Sequence, residues 1–214
     1  MKAVVIGSGS LNDKDLLLVR CSEADLIVAA DGGACFLYDA GITPHILIGD
    51  FDSIPGEILR FFKEKGETRI VTFPSAKDFT DMELALEIAG TEGADEICIL
   101  GAMGSRCDHT LANIFLLYNL LQRNIKGCIE DAHNRITLIQ DTITIKKQEN
   151  WKVSLLSVTP MVSKVTTKGL LYPLQAFDLR FGSSRGISNE FIDDTATISI
   201  EKGLLMVVIS HEPD

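Results

Sequence analysis

The first part of the chain alternates short apolar runs with segments whose apolar residues recur at the spacing of an α-helix. Clusters of turn-forming residues separate the two kinds of segment, as at Gly7-Ser8-Gly9 and Asp31-Gly32-Gly33. The pattern predicts strands over 3–6, 26–30, 45–48, 70–73 and 96–100, and helices over 13–20, 34–40, 55–65, 79–89 and 109–121. This alternation predicts an α/β fold in which helices cover both faces of a parallel sheet.

The pattern changes at about residue 128, where strand-like runs begin to follow one another without helix-length segments between them. Several of these runs alternate polar and apolar residues, which indicates strands with one buried face. The predicted strands lie over 136–139, 142–145, 152–158, 164–167, 176–181, 195–200 and 204–209. Glu201-Lys202-Gly203 predicts a hairpin turn between the last two. The sequence therefore predicts a parallel-sheet αβα domain over 1–127 and an antiparallel β-sandwich over 128–214.

Composition narrows the class of function. The 214 residues are 46% hydrophobic and 23% charged, which is typical of a globular protein. The net charge of -10 argues against a nucleic-acid-binding surface, so a phosphate-bearing ligand would need a bridging Mg²⁺ ion. No apolar run approaches the roughly 18 residues of a membrane span. The five scattered cysteines indicate reduced thiols, and we therefore expect a cytoplasmic protein.

Two carboxylates, Asp50 and Asp52, directly follow the predicted strand over 45–48. Positions i and i+2 of an extended backbone point to the same side, so both side chains would aim at one point. Like charges at that distance repel unless a cation lies between them. The pair therefore predicts a site for a hard divalent metal, although both residues could instead cap the helix that follows.

Polar residues follow the other predicted strands as well, at the sheet edge where open α/β folds bind ligands. Asp31 follows the second strand, although Asp31-Gly32-Gly33 could be only a helix cap and turn. Lys77, a suitable cation for phosphate, follows the fourth strand together with Asp78 and Asp81. If the next helix begins at Asp78, these two carboxylates lie one turn apart, and otherwise Asp78 is a simple N-cap.

A glycine-rich segment follows the fifth predicted strand. Gly101 and Gly104 allow close approach of a ligand to the backbone, and Arg106 offers a planar fork for phosphate oxygens. Asp108 and His109 open a helix whose N-terminus favours anions. A mobile loop before a capped helix is the alternative interpretation. The chain has no P-loop motif, and Gly7-Ser8-Gly9 lacks the third glycine of a dinucleotide-binding fingerprint.

Five motifs in this order resemble those of the thiamine pyrophosphokinase family, and the resemblance covers nearly the whole chain. They are Asp31-Gly32-Gly33, Gly49-Asp50-Phe51-Asp52-Ser53, Lys77-Asp78-Phe79-Thr80-Asp81, the segment from Gly101 to His109, and Ser183-Ser184-Arg185-Gly186-Ile187-Ser188-Asn189-Glu190. The resemblance implies a nucleotide-binding α/β domain, a β-sandwich, and a homodimer with active sites between the α/β domain of one subunit and the sandwich of the other. The implied reaction transfers the pyrophosphoryl group of ATP to thiamine, which gives thiamine diphosphate and AMP.

The resemblance also implies roles for individual residues. The catalytic carboxylates would be Asp31, Asp50, Asp52, Asp78 and Asp81, of which Asp50, Asp52 and Asp78 hold Mg²⁺ and either Asp31 or Asp81 acts on the thiamine hydroxyl. The ATP-binding positions would be Lys77, Asp78, Thr80, Gly101, Gly104, Arg106, Asp108 and His109. The thiamine-binding positions would be Tyr172, Arg185, Ser188 and Asn189, with Tyr172 in the place of a tryptophan that stacks on the thiamine pyrimidine in other members.

Three other functions stay open at this point. A pyrophosphokinase that acts on a pterin alcohol would share the ATP chemistry, but the segment at Ser188 and Asn189 argues against it. A non-catalytic sensor of thiamine or nucleotide would not need a cluster of repelling acids. A metal-dependent phosphohydrolase would consume ATP without an acceptor.

Overall fold

The computed structural model describes residues 1–74 and 78–212, and the chain divides into two compact units, Met1–Ala132 and His133–Asp214. The elements of the first unit are β1 (Lys2–Ile6), α1 (Lys14–Glu23), β2 (Leu26–Ala30), α2 (Gly33–Ala40), β3 (Ile46–Gly49), α3 (Gly56–Lys65), β4 (Arg69–Thr72), α4 (Asp81–Thr91), β5 (Glu96–Leu100), α5 (Cys107–Gln122) and β6 (Lys126–Glu130). Within the described part of the chain, no helix has the length and apolar character needed to cross a membrane.

The first unit is built on a parallel sheet with the strand order β6-β5-β1-β2-β3-β4. The chain winds outward from β1 to β4 and then returns to the other side of β1 to form β5. The connections that follow β1 and β5 therefore lead to opposite sides of the sheet, and the carboxyl ends of these two strands mark the place where such sheets usually bind ligands. The parallel α/β fold predicted from the alternating pattern is confirmed.

Helices cover the faces of this sheet because its strands are apolar on both sides. Val4 and Ile6 of β1 share a core cluster with Leu17 of α1, Leu37 of α2 and Phe62 of α3. The residues that alternate with them point to the opposite face, and α4 packs there against β1, β2 and β3. Near-continuous burial along β1, β2 and β3 is what a parallel sheet between two helical layers requires.

The second unit consists of β-strands. They are β7 (Asn134–Ile139), β8 (Thr142–Lys146), β9 (Lys152–Ser157), β10 (Met161–Lys168), β11 (Phe177–Arg180), β12 (Asn189–Glu190), β13 (Thr195–Ser199) and β14 (Leu205–Ser210). One antiparallel layer has the order β12-β9-β14-β7, and the other has the order β11-β10-β13-β8.

The two antiparallel layers of the second unit face each other across a single hydrophobic core. Leu155 of β9 and Val207 of β14 share that core with Val162 of β10 and Ile198 of β13. All four residues are at most 1% exposed. Along β13 and β14, buried residues alternate with partly exposed ones. The predicted β-sandwich is confirmed.

The predicted hairpin at Glu201-Lys202-Gly203 is wrong. The strands on either side of it, β13 and β14, lie in different layers and do not pair with each other. Lys202 instead bridges to Ser163, and Gly203 adopts a φ of 107°. Turn-forming residues between two strands show that the chain reverses direction, but they cannot show whether it stays in the same sheet.

Candidate functional site

Three carboxylates converge at the carboxyl ends of β2 and β3, and we refer to Asp31, Asp50 and Asp52 as the acidic edge. One oxygen from each side chain lies within 4.8 Å of the others. Asp31 comes directly after β2, and its amide donates a hydrogen bond of 2.7 Å to the carbonyl of Ile48 in β3. The pairing of β2 with β3 therefore brings together side chains that are 19 residues or more apart in the sequence.

The turns that deliver these carboxylates use unfavourable backbone conformations. Asp31 has a φ of 46° and Phe51 has a φ of 65°, in the left-handed region that side chains other than glycine rarely adopt. The amide of Asp52 donates a hydrogen bond of 3.2 Å to Oδ1 of Asp50. Asp50 and Asp52 do lie together, as predicted. The extended backbone expected between them is wrong, because a tight turn with a left-handed residue at Phe51 brings them together. Strain of this kind is concentrated at functional sites.

The burial of the Asp31 carboxylate is only partly compensated. Its Oδ1 atom is buried and accepts no hydrogen bond from the residues that the structure describes. Burial raises the pKa of Asp31 above its ordinary value, and the charges of Asp81 and Asp50 add to that effect, while the amide of Gly32 and the hydroxyl of Ser53 oppose it. A buried oxygen without a donor is costly, so this atom points to a missing positive partner.

The acidic edge fits a hard divalent cation. Magnesium prefers carboxylate oxygens, usually one or two together with water and substrate phosphates. Asp31, Asp50 and Asp52 offer three such oxygens at one point, and Asp31 and Asp50 are only partly exposed. A cation would supply the partner that Oδ1 of Asp31 lacks and would offset the repulsion between the three charges.

The other predicted acidic residues lie at the start of α4, which begins at Asp81. The hydroxyl of Thr80 caps this helix by accepting a hydrogen bond of 3.2 Å from the amide of Glu83, so Thr80 is the N-cap and Asp78 is not. Asp78 is exposed, and it is not one of the three residues that form the acidic edge. Asp81 lies close enough for its charge to affect Asp31. Lys77 lies outside the described residues.

The loops after β1 and β5 are joined by backbone hydrogen bonds. The amide of Gly7 donates to the carbonyl of Leu100 at 2.8 Å, the amide of Gly9 to Gly101 at 2.8 Å, and the amide of Ser10 to Met103 at 2.7 Å. Gly101 has a φ of 61°, and a side chain there would collide with the carbonyl of Gly7. The predicted close backbone approach at Gly101 is thus made by another loop of the protein.

Sequence reasoning missed two residues that hold the glycine-rich loop. The hydroxyl of Thr110 accepts a hydrogen bond of 3.2 Å from the amide of Gly104. The side-chain amide of Asn113 donates a hydrogen bond of 2.7 Å to the carbonyl of Ala102. Thr110 and Asn113 lie three residues apart on α5, so they share a face of the helix and both reach back to the loop. Two polar residues at this spacing in an otherwise apolar helix could have indicated this contact with the loop.

Arg106 and Asp108 are both exposed and bind each other. The guanidinium of Arg106 donates to the carboxylate of Asp108 through Nη2 at 2.6 Å and through Nε at 3.2 Å. This contact lowers the pKa of Asp108 to about 2, with a further contribution from the amide of His109. Arg106 precedes α5, and Asp108 and His109 lie in its first turn, as the sequence predicted for the helix start. The guanidinium of Arg106 therefore faces the carboxylate of Asp108.

In the second unit, Tyr172 combines an exposed ring with a firmly bonded backbone. Tyr172 is 66% exposed, which places it among the most exposed large hydrophobic residues of the described part of the chain. Its amide donates a hydrogen bond of 2.9 Å to Oδ1 of Asn189, and its carbonyl accepts one of 2.8 Å from Nδ2. Asn189 is only 7% exposed. The structure thus brings two of the predicted thiamine-binding residues into direct contact.

The other two predicted thiamine-binding residues are exposed. The guanidinium of Arg185 lies over the ring of Phe177, at 4.2 Å from its centroid, in a cation–π contact. Ser188 has a φ of 59°, and its amide donates a hydrogen bond of 3.0 Å to the hydroxyl of Ser154 in β9. This contact fixes the backbone of the segment that continues into β12.

The fold and the acidic edge together describe a two-unit α/β protein with a candidate metal site at the carboxyl end of its parallel sheet. Two family models match the chain: "Thiamin pyrophosphokinase, catalytic domain" over residues 19–129 and "Thiamin pyrophosphokinase, vitamin B1 binding domain" over residues 140–205. Thiamine pyrophosphokinase of Bacillus subtilis (strain 168) is 35% identical over 215 residues, which cover 99% of this chain and 100% of that protein. The chain belongs to the thiamine pyrophosphokinase family.

Solved structures of the family agree with this assignment. The crystal structure of thiamine pyrophosphokinase from Bacillus subtilis superposes with a TM-score of 0.90 at 32% identity and covers 100% of both chains. That of thiamin pyrophosphokinase from Geobacillus thermodenitrificans gives a TM-score of 0.86 at 31% identity, covering 100% of this chain and 99% of the other.

Proposed function

We propose that this protein is a thiamine pyrophosphokinase, an ATP-dependent transferase that converts thiamine and ATP into thiamine diphosphate and AMP. The observation that carries the proposal is the acidic edge, whose three carboxylates converge on one point in a chain of this family. Residues 1–127 would bind ATP and Mg²⁺, and residues 128–214 would bind thiamine.

The acidic edge would hold Mg²⁺ through Asp50 and Asp52, with Asp31 as a third carboxylate and Asp78 joining from the loop before α4. The unpartnered Oδ1 of Asp31 supports its place in this set. When bound, the ion supplies positive charge that neutralises the triphosphate oxygens and orients them for displacement.

The carboxyl end of the sheet near β1 and β5 would hold the nucleotide. Gly101 and Gly104 lie in a loop whose backbone is fixed by hydrogen bonds to Gly9 and Thr110. Arg106, which contacts Asp108, would turn its guanidinium to phosphate oxygens. The N-terminus of α5 at Asp108 and His109, together with Lys77 and Thr80, would complete the ATP site.

The chemistry needs one proton to leave the thiamine hydroxyl as its oxygen attacks the β-phosphorus of ATP. The bond from that phosphorus to the α–β bridging oxygen breaks, and AMP leaves. Asp31 and Asp81 were the two candidates to orient the hydroxyl or accept this proton. Because Asp31 belongs to the acidic edge, we assign that role to Asp81, which lies at the first residue of α4.

Thiamine would bind to the second unit. The exposed ring of Tyr172 would stack on the aminopyrimidine, since any flat aromatic face can bind a flat ring. Arg185 and Ser188 lie in the segment that continues into β12 and would complete the binding surface, with Asn189 bonded to the backbone of Tyr172. The cationic thiazolium would also favour a protein of net charge -10.

The test is to incubate the protein with ATP, Mg²⁺ and thiamine and to identify the nucleotide product. We expect one AMP for each thiamine diphosphate formed. Formation of ADP would exclude pyrophosphoryl transfer, and loss of ATP without an acceptor would indicate a phosphohydrolase. Turnover with a pterin alcohol but not with thiamine would support the related pyrophosphokinase, and binding without turnover would support a sensor.

We also propose a homodimer in the cytoplasm. Exposed apolar side chains on α5, namely Leu111, Phe115 and Tyr118, support a subunit interface. All five cysteines are free thiols, which supports a reducing compartment. Light scattering coupled to gel filtration measures the mass, and a mass of one chain would contradict the dimer.

A further inference from the structure

We infer that Asn189 is a positioning residue that fixes the backbone of Tyr172, so that the exposed ring is held ready for its ligand. The inference rests on the proposed function, because it takes Tyr172 as the aromatic platform for the thiamine pyrimidine. It assigns Asn189 a role that acts through Tyr172 and not through direct contact with thiamine.

The segment 169–172 runs antiparallel to the segment 189–192. The amide of Ile192 donates to the carbonyl of Gly169 at 3.0 Å, Leu170 bridges to Phe191, and the amide of Leu171 donates to the carbonyl of Glu190 at 2.9 Å. The next position of this register pairs Tyr172 with Asn189. Hydrogen-bonded and non-hydrogen-bonded pairs alternate along an antiparallel ladder, and the bond from Leu171 to Glu190 marks a hydrogen-bonded pair. A regular ladder would therefore leave the backbones of Tyr172 and Asn189 without hydrogen bonds to each other.

The side chain of Asn189 supplies these hydrogen bonds instead. The backbone of Asn189 itself pairs with Val153 of β9. Its carboxamide presents one acceptor and one donor to the backbone of Tyr172, at 2.9 Å and 2.8 Å, as a peptide group of a neighbouring strand would. The same Oδ1 also accepts the amide of Glu190 at 2.9 Å, so both of its lone pairs are used.

These bonds leave Asn189 poorly suited to direct recognition. Asn189 is 7% exposed. The three bonds use both lone pairs of Oδ1 and one of the two N–H groups of Nδ2, so one N–H group is left. A ligand that took Oδ1 would strand the amide of Tyr172 or Glu190. The free energy lost when a buried amide is left without an acceptor exceeds the free energy gained from one new hydrogen bond.

The far side of Tyr172 is fixed as well. Pro173 follows it and restricts its backbone to extended conformations. The amide of Leu174 then donates a hydrogen bond of 2.8 Å to the hydroxyl of Thr167, and the carbonyl of Leu174 accepts one of 2.9 Å from the amide of Thr167. The backbone around Tyr172 is therefore tied on both sides, although its ring is exposed.

A fixed backbone beneath an exposed ring lowers the entropy that must be lost when a ligand stacks on it. Truncation of Asn189 should therefore weaken thiamine binding about as much as removal of the ring itself. We expect Asn189→Ala and Tyr172→Leu each to raise the KM for thiamine about 5- to 10-fold, the range of one aromatic contact. The kcat at saturating thiamine and the KM for ATP should change less than about 2-fold, because neither variant touches the ATP-binding residues.

The double variant Asn189→Ala/Tyr172→Leu separates positioning from direct contact. If Asn189 acts through Tyr172, the double variant should show the same KM as Tyr172→Leu, because the ring that Asn189 positions is already gone. Multiplication of the two effects would overturn the inference and would place Asn189 in contact with thiamine. Phe181→Leu, which removes an exposed aromatic ring just after β11, is the matched control and should leave the KM unchanged.

Hydrogen exchange tests the inference without catalysis. In the wild-type protein the amide of Tyr172 should exchange at least about 10-fold more slowly than an unprotected amide. It should lose that protection in Asn189→Ala, or, if the alanine variant does not fold, in Asn189→Leu, which has nearly the same shape and removes both the acceptor and the donor. Unprotected exchange in the wild type would overturn the inference. Absence of thiamine turnover by the wild type with a protected amide would instead count against the proposed function alone.

Discussion

The acidic edge of the first unit and the Tyr172 region of the second unit hold their polar groups in opposite states. Asp31, Asp50 and Asp52 repel one another, and a buried oxygen of Asp31 has no donor among the described residues. Asn189 is also buried, but its carboxamide makes three hydrogen bonds to the backbone. One region therefore holds like charges close together, whereas the polar side chain of the other is bonded to the backbone.

The difference matches the ligands that we propose for the two regions. A divalent cation is best bound by carboxylates that repel one another without it, since its charge offsets that repulsion. A flat aromatic ring offers little charge, so a surface for it gains most from being rigid beforehand. Substitutions should therefore have opposite effects on the stability of the two regions.

The largest effect should come from Asp52→Asn. Loss of this charge should reduce turnover at least about 100-fold, because the substitution weakens the metal site and leaves the fold intact. Product formation and circular dichroism measured on the same preparation would check both parts. Glu64→Gln, an exposed carboxylate on α3, is the matched control and should be fully active. Near-normal turnover of the Asp52 variant would remove Asp52 from the metal site.

Magnesium should stabilise the protein through the acidic edge alone. At 100 times its dissociation constant, the ion should raise the free energy of unfolding by about 2.7 kcal/mol, the effect of any ligand that binds only the folded state. Thermal unfolding with and without Mg²⁺ would measure this as a shift in Tm, and Asp31→Asn should reduce the shift. An equal shift in that variant would show that the ion binds elsewhere.

Thr167→Val should destabilise the second unit by about 1–3 kcal/mol, because it strands a buried amide. Thr167 is 3% exposed, and its hydroxyl accepts the hydrogen bond from the amide of Leu174. Urea unfolding at equilibrium would measure the change. The exposed Thr144, which pairs with Thr197, provides the control, since Thr144→Val should change stability little. Equal losses in the two variants would mean that burial of Thr167 does not matter.

The smallest effect should have the opposite sign. In the presence of a chelator, Asp31→Asn should stabilise the folded protein by about 0.5 kcal/mol, because it removes one of three like charges. Asparagine also tolerates the positive φ of Asp31 better than most residues. Urea unfolding at neutral pH measures this change, and destabilisation by the variant would show that the acidic edge is not under repulsion.

The strands and helices of the first unit were largely predictable because apolar runs and helical spacing are local signals. The strands over 26–30 and 96–100 were predicted with the observed bounds. β6 (Lys126–Glu130) was missed, because Lys126 and Gly127 open it and the run of strand-forming residues is short. β12 (Asn189–Glu190) was missed since two residues carry no periodicity.

The candidate site was predictable in its residues and less so in its geometry. Asp50 and Asp52 were identified from their spacing, but the turn at Phe51 that joins them has no reliable sequence signal. The helix predicted over 79–89 begins two residues later, at Asp81, and Asp78 lies before it. Asn189 was identified only as a binding position, because its pairing with Tyr172 joins residues 17 apart.

The sequence by itself determined the two-part fold and the set of acidic and aromatic residues, because hydrophobic period and turn residues act over short distances. The tertiary structure alone decided which of these residues meet. Strand pairing placed Asp31 beside Asp50 and Asp52, and the packing of residues 169–172 against β12 placed the side chain of Asn189 on the backbone of Tyr172. Both outcomes depend on contacts between segments far apart in the chain, and the local pattern contains no record of those contacts.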